Sequence, residues 1–137
     1  MPYQTFDHTA DLGILVEAES SIALFEEAAR ALSEQICGPR PFKATGETRV
    51  KVTGQDWPDL MINWLRELLY LVNGKYLVYG PVGIYELKEF SLEAVVPVDN
   101  TGCAPHDMVN EIKAVTYHQL QVEPRADGWQ ARIIFDI

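Results

Sequence analysis

Two clusters of oxygen-bearing side chains stand near opposite ends of a 137-residue chain. Asp7-His8-Thr9-Ala10-Asp11 crowds two carboxylates, an imidazole and a hydroxyl into one short stretch. Phe135-Asp136-Ile137 sets the Asp136 side chain one residue from the main-chain carboxylate of Ile137. Carboxylates brought together raise one another's pKa, and a hard divalent ion that takes oxygen ligands (Ca²⁺, Mg²⁺ or Mn²⁺) is the expected solution if Asp11, Asp136 and Ile137 converge. The alternative is that both aspartates are exposed surface acids, the ordinary place for Asp. His8 is either a metal ligand or general base, or a half-buried histidine that orders a turn. An oxygen-rich site selects cations that do not need imidazole, which favours the turn.

A second group lies at Glu111-Ile112-Lys113. Read as part of a strand over 111–122, Glu111 and Lys113 share a face. Lys113 can then bind a phosphate or an acidic group, or pair with a clustered carboxylate. As a surface ion pair with Glu111 it would contribute little. The same alternation puts Ile112, Ala114, Thr116, His118, Leu120 and Val122 on one face and Val115 and Tyr117 on the other, so His118 reads as a satisfied core histidine. His106 and Asp107 fall in a polar loop over 97–110, with no nucleophile in a recognisable context. Cys37 and Cys103 lack zinc-knuckle spacing and read as free thiols. The chain has no phosphate-binding glycine loop, dinucleotide fingerprint, His-Glu-x-x-His, Cys-x-x-Cys or nucleophile elbow.

Composition narrows the classes. Asp and Glu number 20 against 11 Lys and Arg, a net charge of −9. That repels phosphate backbones and argues against strong direct nucleic-acid binding. It suits a basic protein partner or divalent cations, and it also serves solubility. The length fits one domain over 1–137 with a core that needs no disulfide. No long apolar run or signal-peptide pattern is present, so the expected location is cytoplasmic, with no membrane partner.

These residues must be positioned by ordinary elements. Strands are expected over 3–7 and 11–17, with Asp11 opposite in facing to Leu12 and Ile14. Ser20-Ser21 caps a helix with Ile22, Phe25, Ala29, Leu32 and Ile36 at helical spacing, ended by Gly38-Pro39. A strand follows over 47–53. Asp56-Trp57-Pro58-Asp59 starts a second helix, whose stripe of Met61, Trp64, Leu65, Leu68, Leu69 and Val72 reads as core rather than a cofactor box. Short strands surround Gly80-Pro81, another covers 90–96, and Asp127-Gly128 marks a hairpin. In the last strand Trp129, Ala131, Ile133 and Phe135 face inward, while Asp136 faces away with Ile134 and Arg132. The expected class is α+β: a mostly antiparallel sheet of about seven strands with two main helices packed on one face.

Three stretches, in order, resemble the archease family. They are Phe6-Asp7-His8-Thr9-Ala10-Asp11-Leu12-Gly13-Ile14, then Glu111-Ile112-Lys113-Ala114-Val115-Thr116-Tyr117-His118, and finally Phe135-Asp136-Ile137. Leu24-Phe25-Glu26 and Trp64-Leu65 are similar to the family as well. The resemblance implies an accessory protein, not an enzyme, that activates RtcB-type RNA ligases in tRNA splicing and RNA repair. It would promote guanylylation of the ligase and multiple turnover. It also implies a metal held by Asp11, Asp136 and the carboxylate of Ile137, and a functional lysine at Lys113. Roles for His8, Glu111 and His118 are carried over only as members of the signatures. Two other classes compete: a metal-dependent phosphohydrolase or nuclease using the same carboxylates, and a chaperone or adaptor with an exposed apolar patch.

Overall fold

A computed structural model describes residues 2–8, 11–101 and 108–137. The elements are β1 (Tyr3–His8), β2 (Asp11–Ala18), α1 (Ser21–Cys37), β3 (Gly46–Thr53), α2 (Trp57–Asn73), β4 (Val78–Tyr79), β5 (Gly83–Lys88), β6 (Ser91–Asp99), β7 (Ala114–Arg125) and β8 (Gly128–Asp136). The class is α+β, as expected. The eight described strands divide between two antiparallel sheets. One runs β1-β2-β8-β7; the other runs β3-β6-β4, with β5 also paired to β6.

Capping chemistry sets the helix ends. The Ser20 hydroxyl accepts from the Ala23 N–H at 3.1 Å, and the Asp56 carboxylate accepts from the Asp59 N–H at 2.8 Å. Each satisfies an amide that the first helical turn leaves without a partner. Gly38, at φ 74°, turns the chain out of α1 while its N–H donates to Glu34. Both helices bury one face: Leu24, Phe25, Leu32 and Ile36 from α1, and Met61, Trp64, Leu65 and Leu68 from α2. The Trp64 indole N–H donates to the Phe25 carbonyl at 2.9 Å, so the buried ring also locks one helix to the other. Ile22, read as part of the α1 stripe, is instead 38 % exposed.

Helix α1 packs on β1, β2 and β8, and α2 packs on β7 and reaches β3. Beneath them, Ile14 and Val16 of β2 and Ala131, Ile133 and Phe135 of β8 are completely buried. Burying one such large apolar side chain contributes about 1.5–3 kcal/mol, so this alternation alone pins the register of β2 on β8. At the sheet edge, Tyr3 donates to Glu34 of α1 at 2.6 Å and lies under Arg30. Burial, and then the bond to Glu34, push its phenol pKa up.

Two strand readings require correction. Residues 97–99 belong to β6 and not to the loop that follows it. The strand expected over 111–122 runs Ala114–Arg125, so Glu111 and Lys113 precede it and are not neighbours on a strand face. Its pairing with β8 breaks between Thr116, opposite Ile134, and Gln121, opposite Arg132. The extra residues of that bulge change the facing of everything on one side of it. Val115 is buried, Thr116 faces outward, and His118 is exposed rather than in the core.

Candidate functional site

Sheet pairing assembles the candidate site. In β2–β8 the partners are Leu12 with Phe135 and, one step toward the end, Asp11 with Asp136. Directly opposed residues in an antiparallel pair point to the same face, with Cβ atoms about 4.5–5.5 Å apart. Phe135 points into the core, so Asp11 and Asp136 share the outer face, away from the helices. The row extends over all four strands. His8 stands opposite Asp11 on β1, and Ala114 stands opposite Asp136 on β7. Ala114 adds only a methyl group to the row. The side chains of Asp7 and His8, and residues 9 and 10, lie outside the described residues.

Lys113 arrives from the other side. Its main-chain N–H donates to the Asp136 carbonyl at 2.7 Å. The chain reaches this point from Ile112, which is buried and whose carbonyl accepts from the Asn73 side-chain amide at 2.9 Å. The C-terminal end of α2 thus holds the segment that delivers Lys113 beside Asp136. The sequence marks no bond from Asn73 to Ile112, 39 positions on. Glu111, Lys113, Asp136 and Ile137 are exposed, and Asp11 is half-buried.

Two like charges directly opposed across a strand pair destabilise it. A hard cation offsets that repulsion, and its oxygen preference matches the donors present. Among the described residues no group of three or more His, Cys, Asp or Glu side chains encloses an ion. Asp11 and Asp136 supply two hard oxygen donors on one face, a donor set of the kind that suits Mg²⁺, which takes one or two carboxylates and keeps several waters. A cavity of about 750 Å³ lies elsewhere, between α1 and the 38–42 and 78–82 segments, with Arg30, Ser33, Phe42 and Tyr79 among its lining. Neither aspartate nor Lys113 lines it. Of the other residues singled out, Cys37 is half-buried beside that cavity, whereas Cys103, His106 and Asp107 lie outside the described residues.

The arrangement has relatives. The profile of the Archease protein family (MTH1598/TM1083) matches residues 3–137. The chain belongs to the archease family. Protein archease of Methanosarcina acetivorans is 36 % identical over 141 residues, covering 98 % of this chain and 95 % of the relative. Protein archease of Pyrococcus furiosus is 32 % identical, covering 98 % of each. The solution structure of Methanobacterium thermoautotrophicum protein 1598 superposes with a TM-score of 0.80 at 28 % identity, over 99 % of both chains. The archease resemblance of the three signature stretches thus holds over the whole fold. No helix among the described residues is long and apolar enough to cross a membrane.

Proposed function

We propose that this archease is an accessory activator of an RtcB-type RNA ligase, promoting ligase guanylylation and repeated turnover in tRNA splicing and RNA repair, and that it works in the cytoplasm. The observation that carries the reading is the placement of Asp11 directly opposite Asp136 at the end of the central strand pair, with Lys113 bonded to the same residue. Asp11 and Asp136 would hold a Ca²⁺, Mg²⁺ or Mn²⁺ ion, with Ile137 as the third donor that the family resemblance implies. Bound there, the ion supplies positive charge that lets an acidic surface approach nucleotide phosphates.

This chain's own residues do the positioning. Strands β2 and β8 fix the two carboxylates, and Asn73 fixes the approach of Lys113. Lys113 then meets a phosphate or an acidic group of the ligase. A charge of −9 steers the whole toward a basic partner surface and away from free RNA.

The test is ligase guanylylation with and without the purified protein. Asp11→Ala and Asp136→Ala should each abolish stimulation with the circular dichroism spectrum unchanged, and Lys113→Ala should reduce it about tenfold or more, as loss of a charge-assisted contact does. Undiminished stimulation by Asp136→Ala would sink the proposal. Metal-dependent turnover of a phosphate ester by the protein alone would replace it with the hydrolase reading.

A further inference from the structure

The outer face of the first sheet carries a second built feature. Ile134 follows the parity of Asp136 and so faces away from the helices, yet it is completely buried and stands outside the main core cluster. Phe6 of β1 is paired with Gly13 of β2. Gly13 has no side chain, and a Cβ there would lie 2.1 Å from the Phe6 ring. The ring therefore lies across β2 toward β8. Arg132 covers it, with its guanidinium carbon 4.3 Å from the ring centroid.

The other side of Arg132 is held by the bulge in β7. Gln119 sits at φ 52°, an uncommon conformation for a residue that is neither Gly nor Asn, and its side-chain oxygen accepts from Arg132 at 3.0 Å. The bulge is also tied to α2, because Tyr117 donates to Asp59 at 3.1 Å and lies under Arg66. An edge-strand bulge also discourages unwanted strand pairing. That role does not require Gln119 to reach Arg132, nor a glycine to admit Phe6 beneath it.

Resting on the ligase reading above, we propose that Arg132 is a second contact of the same docking face and takes a carboxylate of the protein partner. The stack on Phe6 and the bond to Gln119 fix its plane in advance. Gln119 uses one of five N–H donors, and the guanidinium fork suits a bidentate carboxylate. Arg132 lies four residues from Asp136 on β8, about 13 Å along the strand. The face thus offers a carboxylate pair at one end and an ordered cation at a fixed distance. A partner must match both signs in register, which rejects a uniformly basic surface. A single partner carboxylate is favoured over a nucleic-acid phosphate, because a backbone would bring a run of like charges against the neighbouring carboxylates and the overall charge of −9.

Arg132→Met keeps an unbranched apolar cover over Phe6 and removes the charge. Arg132→Lys keeps the charge and removes the planar fork. Affinity for the purified ligase is measured without nucleotide, once in the absence of RNA and once in its presence, beside thermal unfolding of each variant. The expected result is about tenfold weaker binding for Arg132→Met, partial recovery for Arg132→Lys, a shallower salt dependence for the first, and little change in melting temperature for either. Wild-type affinity in Arg132→Met, or weakening that appears only when RNA is present, would overturn the carboxylate contact while leaving the ligase reading intact. Failure of the wild-type protein itself to bind the ligase would overturn both.

Discussion

The two faces of β8 are built on different rules. Inward, Ala131, Ile133 and Phe135 join a core in which each apolar side chain has many neighbours and none depends on one partner. Outward, Arg132 and Asp136 each face particular residues of other strands: Phe6 and Gln119 for Arg132, Asp11 for Asp136. The inner face holds the fold through bulk burial. The outer face spends that rigidity on holding charges at chosen points. Removing an inner residue should therefore damage stability first and function second, and the outer face should show the reverse order.

Phe135→Ala is the strongest way to break the inner face. The ring is completely buried, adjacent in sequence to Asp136 and paired with Leu12. Loss of transfer free energy plus the cavity left behind should destabilise the protein by about 3–5 kcal/mol, read as a large drop in urea midpoint. A loss under about 1 kcal/mol would mean that the two faces do not differ as described.

Gly13→Ala probes the outer face at its foundation. The new methyl meets the far end of the Phe6 ring, which can swing aside, so the expected destabilisation is only about 1–2 kcal/mol. The ring's departure should nevertheless free Arg132 and weaken ligase binding about as much as Arg132→Met does. A Gly13→Ala protein that keeps full affinity would show that the stack does not position Arg132.

The same contrast separates what sequence shows from what it hides. The inner alternation of Trp129, Ala131, Ile133 and Phe135 was legible, because burial leaves a mark on each residue separately. The caps at Ser20 and Asp56 were legible for a similar reason: the donor and acceptor lie within one turn of chain. The facing of Asp11 and Asp136 followed from alternation, but their pairing needed the registry of two distant strands and entered only with the family resemblance. The β7 bulge was not legible. Gln119 is not a residue that announces a positive φ, and missing the bulge put His118 on the wrong face. The stack of Arg132 on Phe6 joins β8 to β1, more than a hundred positions away in the chain. Gly13 within a strand was the one available signal, since a strand glycine often marks the close approach of another group. The division into two sheets was hidden too, because antiparallel strands carry no label of the sheet they join.

The finest test of the contrast is Asp136→Asn, where stability and function should move in opposite directions. Asparagine keeps the size and hydrogen-bonding capacity of aspartate and removes one of two opposed charges. Without added metal, the variant should be equal to or slightly more stable than wild type, by about 0.2–1 kcal/mol, because a like-charge cross-strand pair has been relieved. Saturating Mg²⁺ or Ca²⁺ should stabilise wild type through preferential binding to the folded state and leave Asp136→Asn nearly unmoved, so the order of the two melting temperatures reverses on titration. The reversal identifies the carboxylate pair as a metal site independently of any ligase assay. If metal shifts both proteins equally, the ion binds elsewhere, and the opposed aspartates must be explained by the partner's cations alone.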